Sequence, residues 1–99
     1  MSHPPAQTAI VTGASGGIGA AIAVALARAG YRVVVNFCHN EEGATRTVEE
    51  IKLCGGEAMT IRADVRHRPE VEDLFSRTEA EFGFAGQLVN NAGVTATHR

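Results

Sequence analysis

The sequence predicts an α/β fold in which a parallel sheet is flanked by helices. Short apolar runs of strand length alternate with segments whose apolar residues recur at helical spacing, in the order β-α-β-α-β-α-β. A glycine-rich turn, TGASGGIG at residues 12–19, joins the first strand to the first helix. The 99 residues suffice for one small domain, and 44% hydrophobic against 20% charged residues is typical of a globular chain.

The first strand and the first helix lie on either side of the glycine turn. The strand, TAIV at Thr8–Val11, is a short apolar run of the kind that is buried on both faces of a sheet. After Gly17 the spacing changes, and Arg28 followed by Gly30 is typical of a helix end. The spacing predicts a buried helical stripe made of Ile18, Ile22, Ala25, Leu26 and Ala29.

The next two elements follow the same alternation. RVVVNF at Arg32–Phe37 is β-branched and predicts a second strand. Residues 41–56 predict a second helix that begins with two acidic residues and ends at a pair of glycines. Its predicted buried stripe consists of Ala44, Val48 and Ile51.

The last three elements complete the pattern. Residues 57–63 predict a third strand, and Pro69 is placed to begin a third helix that Gly83 ends. Residues 87–93, QLVNNAG, predict a short fourth strand. The apolar positions of the third helix are Val71, Leu74, Phe75, Thr78 and Phe82.

The glycine turn predicts a phosphate-binding site. The first amides of a helix lack partners within the helix, and together with the helix dipole they attract anions. Glycine lets a pyrophosphate approach the backbone: Gly13 suits a tight turn, while Gly17 and Gly19 suit close approach and helix–strand packing. The alternative is a flexible loop whose glycines are incidental, and a lone glycine motif is weak evidence against it.

Three motifs together resemble the short-chain dehydrogenase/reductase family: TGxxxGxG from Thr12, ADV at residues 63–65 and NNAG at residues 90–93. The resemblance implies a Rossmann-type sheet of order 3-2-1-4, truncated here after the fourth strand, and a dinucleotide cofactor. It implies that the aspartate of ADV contacts adenine and that NNAG lines the cofactor cleft. The cofactor-binding candidates are Gly13, Ser15, Gly16, Gly17, Ile18, Gly19, Asn36, His39, Asp64, Val65, Asn91, Ala92 and Gly93.

Several of these candidates also have ordinary structural interpretations. Asp64 could cap a helix or occupy a surface turn, and His39 could be an exposed loop residue. Asn90 and Asn91 could form a turn after a strand, because asparagine tolerates left-handed backbone. If the strand order is 3-2-1-4, however, all of the predicted strand ends converge on one cleft.

The second strand bears on the choice between NADP and NAD. An NAD-binding chain usually carries an acid at the end of this strand, where it accepts hydrogen bonds from the ribose 2′-hydroxyl. Here the strand ends with residues 36–40, NFCHN, and the first acid is Glu41. We therefore expect NADP, with NAD as the alternative. The basic residues of NADP-binding relatives are not matched either, since Gly16 and His39 stand at those places.

The resemblance implies a reaction in which hydride is transferred with the help of a tyrosine and of a lysine four residues after it. The 99 residues contain one tyrosine, Tyr31, and Val35 rather than lysine follows it at that spacing. We therefore expect an N-terminal cofactor-binding part that does not catalyse by itself and that meets substrate only when the catalytic groups are supplied. The alternative is a non-catalytic dinucleotide-binding or interaction module that pairs with another chain.

Composition excludes several other classes of function. The net charge of −2 and the scattered basic residues argue against nucleic-acid or membrane partners. The spacing of the four histidines and of Cys38 and Cys54 fits no metal motif, and the cysteines suggest reduced thiols in the cytoplasm. We expect residues 1–7 to be a disordered tail, residues 8–99 to be a partial NAD(P)-binding domain, and the exposed fourth strand to promote self-association.

Overall fold

The computed structural model describes residues 6–91. The predicted alternation of strands and helices is confirmed. The elements are β1 (Thr8–Val11), α1 (Gly17–Arg28), β2 (Arg32–Phe37), α2 (Glu41–Leu53), β3 (Ala58–Arg62), α3 (Arg68–Phe82) and β4 (Ala85–Val89).

The four strands form one parallel sheet of order β3-β2-β1-β4, as the sequence predicts. All four residues of β1 are buried, because this strand has a neighbour on each side and helices above and below. The carboxyl ends of β1, β2 and β3 therefore lie next to one another at one edge of the sheet, where α/β proteins bind their ligands.

Two apolar cores cover the two faces of the sheet. Successive strand residues point to opposite faces, so that Val33 and Val35 pack with α1 and α2 while Val34 packs with α3. The predicted stripe of α2 is confirmed, since Ala44, Val48 and Ile51 are all buried. In α3, Leu74 and Thr78 are buried, and the Thr78 hydroxyl donates to the Leu74 carbonyl at 2.8 Å.

The predicted buried stripe of α1 is wrong. Ile18 is 72% exposed, and Ala25 and Ala29 are also exposed, whereas Ile22 and Leu26 are only half-buried. Almost every residue of α1 is apolar, so spacing alone could not select the face that packs on the sheet. Small side chains decide it, because they let the helix approach the strands closely. The residues of α1 that are buried are Gly19, Ala23, Val24 and Ala27.

Strand β4 begins two residues earlier than predicted and ends at Val89 rather than at residue 93. Thr8 pairs with Ala85 and Ala9 pairs with Gln87, so Gly86 is an extra residue in the ladder. Glycine suits such a bulge because it has no side chain to place. On the part of the strand that follows, Leu88 is 51% exposed.

No helix within residues 6–91 combines the length and apolar character needed to cross a bilayer.

Candidate nucleotide-binding site

The turn between β1 and α1 exposes backbone at the start of a helix. Gly13 and Gly17 have φ angles of 62° and 58°, a left-handed conformation that favours glycine. Gly16 precedes the helix with no side-chain cap. A Cβ added at Gly16 or Gly17 would meet no atom within 4 Å, so the space over this turn is open. An open helix start of this kind can accept an anion.

Glycine is required at position 19 because, unlike at Gly16 and Gly17, there is no room for a side chain. A Cβ at this position would collide with the Gly13 carbonyl oxygen and lie 2.6 Å from Nδ2 of Asn91. The Asn91 amide donates to that same Gly13 oxygen at 3.0 Å. The hydrogen bond from Asn91 to Gly13, over which Gly19 packs closely, therefore holds the turn against the residues that follow β4.

Other contacts fix the turn from β4, β2 and α2. The Thr12 hydroxyl donates to Oδ1 of Asn90 at 3.2 Å, and the Ala14 amide donates to the Asn36 carbonyl at 3.0 Å. The Thr47 hydroxyl on α2 donates to the Ala14 carbonyl at 3.0 Å. Sequence reasoning missed Thr47, since nothing in a helical stripe distinguishes a threonine that bonds to a distant loop.

A cavity of about 340 Å³ lies beside the turn at the carboxyl ends of β1, β2 and β3. The ends of three strands therefore meet here as expected, whereas Asn90 and Asn91 after β4, which were expected to converge on the same cleft, do not line the cavity. Five of the predicted residues line it together with three that the sequence analysis did not select. The lining residues are Gly13, Asn36, Cys38, His39, Ala63, Asp64, Val65 and Arg66, of which Cys38, Ala63 and Arg66 were missed although they flank predicted positions.

Asn36 is a buried amide that joins β2 to the end of β3. Its Nδ2 donates to the carbonyls of Ile61 and Ala63, both at 3.2 Å, and the residue is 2% exposed. Both bonds cross from one strand to its neighbour at the cavity. The side chain therefore holds the wall on which Asp64 and Val65 are carried.

Asp64 and Arg66 form a two-point ion pair at the cavity. Arg66 donates through Nε to Oδ1 at 3.0 Å and through Nη2 to Oδ2 at 2.8 Å, and its backbone amide also donates to Oδ1. The Arg66 side-chain hydrogen bond, followed by the Arg66 backbone amide, holds the pKa of Asp64 far below its ordinary value. The Asp64 hydrogen bond raises the pKa of Arg66 in turn. The Asp64 carboxylate is thus ionised and held in one orientation, so that it can act as a hydrogen-bond acceptor.

The backbone before α3 is tied to the same pair. Glu70 accepts from the Asp64 amide at 2.8 Å and contacts Nδ1 of His67 at 3.1 Å. Two hydrogen bonds lower the pKa of Glu70. The bond from the Asp64 backbone amide has the largest effect, and the bond with the His67 side chain has the second largest. Asp64 caps no helix in this arrangement, because the residue that precedes α3 is His67.

Two of the remaining candidates lie in the turn, and one lies at the rim of the cavity. Ser15 and Ile18 belong to the turn and the start of α1, and His39 is exposed at the cavity rim. Ala92 and Gly93 lie outside the described residues. Tyr31 is half-buried and packs against the core on the α1 side, which agrees with a packing role.

A larger depression of about 580 Å³ lies on the outer side of α1, lined by small residues together with Arg28 and Glu50. No strand end contributes to it, and it offers few polar groups that could orient a ligand. Gly17, the first residue of α1, lines this depression. The smaller cavity is the better candidate, because three strand ends, Gly13 of the glycine turn and an oriented carboxylate line it.

A parallel sheet with an open glycine turn and a cavity at its strand ends defines a dinucleotide-type nucleotide-binding protein. The family model for short chain dehydrogenases matches residues 7–99, and the chain belongs to that family. This result confirms the resemblance that the three motifs indicated.

Individual relatives agree with this assignment. The chain is 48% identical over 95 residues to a 3-oxoacyl-[acyl-carrier-protein] reductase of Synechocystis, covering 96% of this chain and 38% of that protein. It is 44% identical over 90 residues to versicolorin reductase 1 of Aspergillus parasiticus, covering 91% of this chain and 34% of that protein. A dehydrogenase/reductase structure from Sinorhizobium meliloti superimposes with a TM-score of 0.84 at 41% identity, covering 88% of this chain and 34% of that one. The chain thus spans less than two-fifths of the length of these relatives.

Proposed function

We propose that this chain binds NAD(P) through its adenosine diphosphate half and forms the cofactor-binding part of a short-chain oxidoreductase. The observation that carries the proposal is the glycine turn itself, which is open at Gly16 and Gly17 and whose Gly13 lines the cavity formed by three strand ends. Helix-start amides favour a pyrophosphate, and a cavity at the strand ends suits the adenosine next to it.

The residues of the site fit such a ligand. Ser15, Gly16 and Gly17 would face the pyrophosphate, with the exposed Ile18 beside them. Asp64 and Val65 would meet the adenine, because Oδ2 of Asp64 accepts one hydrogen bond from Arg66 and can accept a second, whereas Oδ1 already accepts two. Asn91 would act by holding Gly13 in place, and the proposed roles of Ala92 and Gly93 concern residues outside the described part of the chain.

NADP is the form of cofactor that we propose, with NAD as the alternative. The end of β2 carries no acid, and Phe37, its last residue, is 5% exposed and packs in the core. The strand end itself therefore lacks the carboxylate that repels a 2′-phosphate, and the nearest acids along the chain, Glu41 and Glu42, belong to the start of α2.

The proposed reaction is hydride transfer between the nicotinamide and a carbonyl or alcohol carbon, the chemistry that the bound cofactor supplies. The role of this chain is to hold the cofactor and to exclude water from its adenosine half. Residues 1–99 contain no Tyr-x-x-x-Lys pair, so we expect binding without turnover from this chain alone. The named relatives differ in the compounds that they reduce, and no particular substrate is proposed.

Domain bounds and surroundings complete the proposal. We propose that the cofactor-binding domain comprises residues 8–99; residues 1–5 and 92–99 lie outside the described part of the chain. Cys38 and Cys54 are both free, which suits the reducing cytoplasm. The mildly negative charge gives the chain no nucleic-acid or membrane surface.

The test is a titration of the purified chain with NADPH and NADH, followed by cofactor fluorescence, and with AMP, followed by isothermal titration calorimetry. Gly16→Val is the informative variant, because Gly16 has φ −179° and open space around it, so valine should leave the fold intact and cover the helix start. We expect this variant to abolish binding. Gly86→Val is the matched control, since a Cβ there also meets nothing within 4 Å and β4 lies outside the cavity.

Gly13→Val and Gly19→Val should also abolish binding, but they disturb the turn itself. Undiminished affinity in a folded Gly16→Val protein would contradict the phosphate-binding role of the turn. Absence of nucleotide binding in the unmodified chain would contradict the proposed function as a whole.

A further inference from the structure

Arg62 is a basic residue placed beside the second strand by the sheet rather than by the sequence around it. It is the last residue of β3 and is the cross-strand partner of Phe37, the last residue of β2. Its Nε donates to the Cys38 carbonyl at 3.1 Å. The guanidinium therefore lies against the loop that follows β2, 24 residues away along the chain.

This loop borders the proposed cofactor cavity through Cys38 and His39. In dinucleotide-binding folds, the group on the ribose 2′ position is recognised about twenty residues beyond the glycines, at the end of the second strand. Phe37 cannot recognise it, since its side chain is buried in the core. Recognition is left to the loop, residues 38–40, and to side chains that reach it from neighbouring strands.

The charges around the cavity leave Arg62 as a cation without a carboxylate partner. Arg66 is paired with Asp64, and within residues 6–91 none of the ion pairs includes Arg62. The hydrogen bond of Arg62 to a neutral carbonyl orients the guanidinium and leaves its charge uncompensated. An arginine guanidinium fixed in this way suits a phosphate, because its planar donors match the phosphate oxygens.

We propose that Arg62 binds the 2′-phosphate of NADP and is the residue that selects NADP over NAD, an inference that rests on the proposed function. His39 lies exposed on the same loop. Glu41 and Glu42 begin α2 just beyond the loop and oppose an added phosphate, so the selection depends on Arg62.

The experiment compares 2′,5′-ADP with 5′-AMP, which differ only in the 2′-phosphate, on the unmodified chain and on Arg62→Ala. We expect Arg62→Ala to weaken 2′,5′-ADP about tenfold and to change 5′-AMP less than about twofold, as for one charge-assisted contact. Arg62→Lys keeps the charge without the planar donors and should retain part of the preference.

Arg77→Ala is the matched control, since it removes one exposed positive charge from α3, where Arg77 pairs with Asp73 at 3.5 Å. It should leave both affinities unchanged, and circular dichroism should show that all variants fold. An unmodified chain that binds both nucleotides equally, or an Arg62→Ala variant with an unaltered affinity ratio, would overturn the role of Arg62 while leaving nucleotide binding in place. A chain that binds neither nucleotide would overturn both proposals.

Discussion

Asn36 provides the most direct test of how the site is held together. Its Nδ2 makes two buried hydrogen bonds at 3.2 Å to carbonyls of β3. Replacing the side chain with leucine keeps similar volume but leaves both carbonyls without this donor. Each neutral hydrogen bond contributes about 1 kcal/mol, so Asn36→Leu should lower the free energy of unfolding by about 2 kcal/mol. Asn36→Ala also leaves a cavity and should cost about 3 kcal/mol.

The assay is urea unfolding followed by far-ultraviolet circular dichroism. For a chain of this size, a loss of about 2 kcal/mol corresponds to a midpoint about 2 M lower in urea. Gln87→Thr, which replaces an exposed strand amide, is the control and should shift stability by less than about 0.5 kcal/mol. An Asn36→Leu midpoint within about 0.5 M of the unmodified chain would refute the reasoning, because it would mean that the two bonds contribute nothing net.

Asn36→Asp adds a pH dependence to the same test. A buried carboxylate facing two carbonyls is disfavoured, so the folded-state pKa of the new acid should lie above its unfolded value of about 3.9. The folded state then binds the extra proton more tightly, and stability falls as the pH rises through that range. The variant should therefore be more stable near pH 4 than near pH 8. The opposite slope would show that the side chain points elsewhere.

Three further predictions follow from other parts of the molecule. The pKa values of Asp64 and Glu70 are lowered in the folded state, so their stabilising contribution is present at neutral pH and is lost as the pH falls below about 4. In Asp64→Asn, the free energy of unfolding should therefore depend less on pH in that acidic range. Ile18→Lys should change the free energy of unfolding by less than about 0.5 kcal/mol, whereas Ala23→Leu should cost about 1–3 kcal/mol by overpacking, and equal effects in urea unfolding would contradict the observed face of α1. Leu88→Lys should reduce self-association measured by sedimentation velocity, and an unchanged distribution of species would mean that β4 is not the contact.

The fold could be predicted from the sequence because strands and helices here differ in length and apolar period. The candidate site was placed at the glycine turn for the same reason, since glycines that follow a buried strand and begin a helix favour a phosphate-binding turn, and this placement stays a prediction. The apolar face of α1 could not be predicted, because a helix that is apolar on most sides gives no contrast, and close packing of Ala23 and Ala27 decided the face.

The parts that sequence reasoning missed depend on contacts that the order of the residues does not show, some between neighbouring residues and some between distant strands. Arg66 flanks a predicted motif, but its two bonds to Asp64 depend on the local turn before α3. Arg62 reaches Cys38 only because β3 and β2 pair in a particular register. The start of β4 moved because Gly86 forms a bulge, which single-sequence propensity treats as a break.

The bond from Asn91 to Gly13 spans 78 positions of the chain. A nascent polypeptide that has left the ribosome only as far as α3 already contains every glycine of the turn but lacks the amide that locks them. The glycine turn, which we propose binds phosphate, should therefore reach its final conformation late in synthesis, when β4 docks beside β1. A nucleotide present at that moment would favour the docked state and so assist the final step of assembly.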